Sequence, residues 1–86
     1  MAISLERARG TALIRMKTGA TGRISHLAAQ DPKRTRRLLA LGIRSGVRIR
    51  LVQRIPAYVV EIGYTRVAMD EQVARDIFVD LDPPGK

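Results

Sequence analysis

His26 is the chain's one histidine, and the sequence has no cysteine. A metal ion there would need carboxylates, or a second chain, to complete its ligands. The residue reads instead as a surface or half-buried strand histidine, and neither a metal site nor a cofactor is expected. Glu61, Asp70, Glu71 and Asp76 are the acids that could gather, but Asp70 fits a helix cap, Glu61 points outward from a strand, and no acid–base pair is set by their spacing. Ser4, Ser25 and Ser45 have no histidine–acid pair beside them, so no activated nucleophile is in view. Gly19-Ala-Thr-Gly22 precedes a strand and lacks the Lys-Ser/Thr of a phosphate loop. Catalysis is not expected, and no residue is assigned a catalytic role.

The remaining chemistry belongs to arginine. The formal charge is +8, unevenly spread: thirteen basic residues against one acid, Asp31, from Arg7 to Arg54, then three against six from Ile55 onward. Guanidinium groups bind carboxylates and phosphates bidentately, so Arg34, Arg37, Arg44, Arg48, Arg50 and Arg54, with Arg36 alongside, are the candidate partner-binding set. An acidic protein surface, anionic lipid headgroups and nucleic acid are the three chemistries they could meet. Tyr58, Tyr64 and Phe78 are the only aromatics, too few for a base-stacking platform. A solvated basic face without a partner is the bland alternative.

The elements that must position these arginines are legible in one stretch, Arg34 to Val52. Asp31 fits an N-cap and Pro32 the first helical position, where a missing N–H costs nothing. Leu38, Leu39 and Leu41 are expected inward, and Arg34, Arg36 and Arg37 toward water. Gly42 reads as the positive-φ residue ending the helix, with Ile43 folding back onto Leu38. After a Ser45-Gly46 turn the period changes to two: Val47, Ile49 and Leu51 face one way, Arg48 and Arg50 the other.

Elsewhere, Ala12 to Met16 reads as a turn of helix. A strand over Arg23 to Leu27 has core residues Ile24 and Leu27, whose spacing of three predicts a bulge or a bend. Further strands are expected at Tyr58 to Ile62, Arg66 to Met69 and Ile77 to Val79, with a short helix capped by Asp70 before the last. Short strands, polar turns and one helix after the first strand predict a mainly β fold with short helices: a small, nearly closed barrel. Its expected core is Ile24, Leu38, Leu41, Ile43, Val47, Ile49, Leu51, Val60, Ile62, Val67, Ile77 and Val79. Eighty-six residues make one domain. Residues 1–11 read as an extension, 12–80 as the barrel and 81–86 as a flexible tail. No apolar run nears the roughly 20 residues of a membrane span, and the first residues lack the apolar core of a secretory signal, so a cytoplasmic protein is the default.

Three runs of residues resemble the FeoA family. They are Leu13…Lys17-Thr-Gly19…Gly22-Arg-Ile24; Arg37-Leu-Leu-Ala-Leu-Gly-Ile-Arg-Ser-Gly46-Val-Arg-Ile49; and Val67-Ala-Met69…Ala74-Arg-Asp-Ile77…Val79. The most specific part is R-L-x-x-L-G-[IL]-x-x-G, in which Leu38, Leu41, Gly42, Ile43 and Gly46 are the fold-defining positions. Ser45 stands where the family usually has proline, and the segment Arg54 to Tyr58 is shorter than usual. The resemblance implies an SH3-like β-barrel with one helix after the first strand and a helical turn before the last. It also implies a non-enzymatic cytoplasmic accessory protein that binds the cytoplasmic part of a FeoB-type GTP-binding ferrous-iron transporter. It carries an association with a transition metal, for which these residues offer no ligand set. Peripheral contact with anionic lipid and a weak homodimer through a strand edge are compatible with it. The alternative, from another class, is a small basic SH3-like nucleic-acid-binding module. An isolated counterpart of the SH3-like domain of metal-dependent repressors is a third reading, without a helix-turn-helix to read DNA.

Overall fold

A computed structural model describes residues 10–83. Six antiparallel strands form one curled sheet: β1 (Thr11–Ala12), β2 (Thr21–Leu27), β3 (Arg48–Gln53), β4 (Tyr58–Ile62), β5 (Thr65–Met69) and β6 (Ile77–Leu81), in the spatial order β1-β6-β2-β3-β4-β5. A 3₁₀ turn (Leu13–Arg15) follows β1, helix α1 (Pro32–Ala40) links β2 to β3, and the single turn α2 (Glu71–Ala74) links β5 to β6. The mainly β fold, with one helix after the first long strand and a helical turn before the last, is as expected. β1 is an addition: two residues are too few to leave a period in sequence, and pairing with Phe78 and Val79 defines the strand.

Local chemistry accounts for the joints. The Asp31 carboxylate accepts the Lys33 N–H at 2.9 Å and Pro32 opens α1. At the other end the Gly42 N–H reaches the Leu39 carbonyl and the Ile43 N–H the Leu38 carbonyl, both at 3.0 Å, with Gly42 at φ +88°. This is a complete Schellman stop. Next, the Val47 N–H bonds the Arg44 carbonyl at 3.2 Å with Gly46 at φ +90°, the arrangement of a type II turn, whose second position favours proline. Ser45 holds that position instead, and its hydroxyl donates to the Ser25 carbonyl at 3.0 Å. A side-chain bond to β2 thus does what a fixed φ would do. The bulge appears where the spacing of Ile24 and Leu27 puts it, between Ile24 and His26 in the pairing of β2 with β6.

β2 is the centre of the sheet, and Gly22 is its closest contact. It lies opposite Ile49 of β3 on one side and Leu81 of β6 on the other. A Cβ here would overlap the Asp80 carbonyl oxygen and crowd Val79, so β6 can approach only a glycine.

The core gathers Leu13, Met16, Ile24, Leu38, Ile43, Ile49, Leu51, Val60, Val67, Met69, Ala74, Ile77 and Val79. Val47 and Ile62, expected inside, pack half-buried against its margin. Leu39 and Leu41 are not inside: they are 44% and 46% exposed. A nine-residue helix lying on a small barrel buries one narrow stripe, here centred on Leu38. At 100° per residue Leu39 turns to one flank of that stripe, and Leu41, the C-cap residue, sits on the other. Leu13 and Met16 replace them, brought in by the 3₁₀ turn. The expected flexible tail is also corrected, since β6 continues through Leu81, and the Asp82 N–H bonds the Thr21 carbonyl at 2.9 Å. Most of the expected N-terminal extension, residues 1–9, and tail residues 84–86 lie outside the described residues.

Two substitutions separate the leucines. Leu38→Ala should cost about 2–5 kcal/mol, whereas Leu41→Ala should stay within about 0.5 kcal/mol, both measured by urea denaturation.

Candidate functional site

The structure divides the six candidate arginines into two groups. Arg34, expected in water, lies half-buried on α1 and donates through Nε to Asp76 Oδ2 at 2.7 Å. Asp76 is itself buried, just past α2. The reason is position: Arg34 precedes Leu38 by one turn, so it shares the stripe that faces the barrel. Arg48 and Arg50 do lie exposed along β3, as alternation predicts. Arg48 donates to Asp82 at 2.6 Å, and Arg50 stands 3.9 Å from Glu61, which also accepts from Arg66 at 3.3 Å. Arg54 donates to the Ile14 and Met16 carbonyls, 3.0 Å each, with its guanidinium 5.9 Å from the centre of the Tyr58 ring. These carbonyls sit at the end of the 3₁₀ turn, so Arg54 ties that turn to the β3–β4 connection.

Arg37 and Arg44 form the second group. Their guanidinium groups, and that of Arg36, make no ion pair or hydrogen bond with any described residue. Arg36 and Arg37 lie in the last turns of α1, and Arg44 opens the turn beyond Gly42. Sequence reasoning missed the acids that remove the others from contention. Its one signal was the charge asymmetry between the halves of the chain: Arg34–Asp76, Arg48–Asp82 and Arg50–Glu61 each join an early arginine to a late acid.

The Asp82 carboxylate also accepts from Thr21 Oγ1 at 2.6 Å. The hydrogen bonds from Arg48 and Thr21 hold its pKa below the ordinary value of 3.8, because both favour the charged form.

His26 is half-buried on β2, with its ring stacked on Phe78 at 4.7 Å between centroids, and its Nδ1 lies 3.1 Å from Ser25 Oγ. Among the described residues no three His, Asp or Glu side chains come together as a metal site would require. An open groove of about 990 Å3 runs past Arg54, Ile55, Tyr58, Met69, Asp70 and Glu71. Its two acids are engaged: Asp70 accepts the Val73 N–H at 2.9 Å as the α2 cap, and Glu71 pairs with Arg75 at 2.7 Å. No acid–base or nucleophilic pair forms there. No described helix is long and apolar enough to cross a membrane.

The model of the FeoA domain matches residues 11–81. The chain belongs to the FeoA family. Solved FeoA structures share the fold. FeoA from Chlorobium tepidum superposes with a TM-score of 0.78 at 23% identity, over 88% of this chain and 74% of that one. Zinc-complexed FeoA from Stenotrophomonas maltophilia does so with a TM-score of 0.70 at 24% identity, over 79% and 87%. The latter is described as a procaryotic SH3 domain protein and a candidate bacterial ferrous iron transport activating factor, and the barrel of the present FeoA-family chain is SH3-like in the same sense. A manganese-dependent transcriptional repressor also superposes, with a TM-score of 0.76 at 25% identity over 81% of this chain, which spans only 40% of the repressor's length. A search of curated proteins returns no match.

The ion pairs carry two predictions. Arg34→Ala should destabilise by about 2 kcal/mol, since it leaves the mostly buried Asp76 without its charged partner. A double-mutant cycle with Asp76→Ala checks this, the pair costing less than the sum of the two. A depressed carboxylate pKa adds stability that is present above the unfolded value and lost as pH falls through the folded one. Asp82→Asn should therefore lower the melting temperature at neutral pH, and the difference should begin to shrink below about pH 4 and vanish only once the pH has fallen through the depressed folded pKa.

Proposed function

We propose that this chain is a non-enzymatic, cytoplasmic accessory protein of ferrous iron uptake. It binds the cytoplasmic part of a FeoB-type GTP-binding transporter and supports that protein's activity. The family match over residues 11–81 carries the reading. The site chemistry is consistent with it. The acids that might have acted in catalysis are engaged in caps and ion pairs, while Arg36, Arg37 and Arg44 remain available to an external acid. On this reading the chain contributes recognition and takes no part in bond making; GTP is bound and hydrolysed by the transporter.

The test is a pull-down of the transporter's GTP-binding domain by the full chain at low and moderate salt. Specific retention is expected, and failure to retain it at either salt overturns the proposal. Duplex DNA or RNA retained in its place, with affinity falling steeply as salt rises, would favour the nucleic-acid reading.

A further inference from the structure

We propose that the end of α1 and the Schellman loop that closes it, residues 36–44, form the docking epitope, and that its occupant is an acidic protein surface with an apolar depression. This rests on the accessory reading above and names the face that reading uses.

The observations converge on one short segment. Arg36, Arg37 and Arg44 have no partner among the described residues, and no acid occurs in the sequence between Asp31 and Glu61. Their charge is therefore uncompensated locally, unlike that of Arg34, Arg48 and Arg50. Leu39 and Leu41 are nearly half exposed in the same segment. Helical spacing sets Arg37 one turn from Leu41, and Arg36 three residues from Leu39. Each exposed leucine thus has a guanidinium for a neighbour. Arginine beside apolar area is the composition of the centre of a protein interface. The loop is also rigid where it matters: Gly42 and Gly46 hold positive φ within hydrogen-bonded turns, and Ser45 is tied to β2. Little ordering would then be lost on binding.

Charge complementarity selects the occupant. Carboxylates match guanidinium forks, and an apolar depression matches the leucines. A phosphate backbone matches only the arginines. A bilayer surface asks for a broader apolar face, commonly with aromatic anchors; this nine-residue helix presents two half-exposed leucines and no aromatic.

Titration calorimetry of the full chain against the transporter's GTP-binding domain tests the assignment. Arg37→Ser/Arg44→Ser and Leu39→Ser/Leu41→Ser should each raise Kd by about tenfold or more, with melting temperatures held close to that of the unsubstituted chain. Arg15→Ser/Lys17→Ser, which removes two cations outside the epitope, should change Kd by less than about threefold. Unchanged affinity in the first two variants, with the unsubstituted chain binding, overturns the epitope and leaves the accessory function standing. Equal losses in the two variants that remove charge, with none in Leu39→Ser/Leu41→Ser, overturn it in favour of net charge alone. Anionic phosphatidylglycerol vesicles or duplex DNA that lose binding in Arg37→Ser/Arg44→Ser, while the domain keeps it, would assign the epitope to phosphate and overturn the proposal. No binding of the domain by the unsubstituted chain overturns the accessory reading and the epitope together.

Discussion

The approach of β6 to β2 at Gly22 is the constraint on which the barrel depends. β2 must pair on both sides at once, with Ile49 and with Leu81, and the Asp80 carbonyl occupies the space where a side chain would begin. With glycine there, the sheet can curl enough for strands from both halves of the chain to share one interior. The same contact carries β6 past its apolar residues and delivers Asp82 to Thr21 and Arg48. Without it the chain's last acid would have no fixed partner.

Charge is organised by that closure. A first half rich in arginine and a second half rich in acid would be read separately as a basic arm and an acidic tail. Folding lays one over the other, and the pairs Arg34–Asp76, Arg48–Asp82 and Arg50–Glu61 span 42, 34 and 11 residues of sequence. The two more exposed pairs, Arg48–Asp82 and Arg50–Glu61, contribute little stability individually. The larger consequence of the pairs is subtraction: they remove arginines from the pool that could meet a partner, while Arg36, Arg37 and Arg44 at the end of α1 are left unpaired among the described residues. The likeness to a manganese-dependent repressor fits this picture. One barrel can serve different proteins because binding resides in surface side chains and not in the core.

Much of the fold was legible because its signals are local. The Asp31 cap, the Gly42 stop, the Ser45-Gly46 turn, the alternation along β3 and the bulge after Ile24 each depend on residues within a few positions of one another. The two-residue β1, the core roles of Leu13 and Met16, and the ordering of Asp80 to Asp82 were not legible, since each exists only through pairing with distant strands. Leu41 shows the limit of a motif. Its place in the family signature reads as core, yet at the helix C-cap it is turned to solvent.

For the site, the sequence by itself determined which residue types were present: arginines in excess, a solitary histidine and no cysteine. It also carried the family signature. Which arginines are available was decided only by the tertiary structure. A guanidinium's availability depends on whether a carboxylate or carbonyl lies within about 3 Å of it. For Arg34, Arg48 and Arg54 that group comes from a part of the chain 34 to 42 residues away. Among the described residues, Arg37 and Arg44 have no such partner, because none of the described acids lies within reach of them at the end of α1.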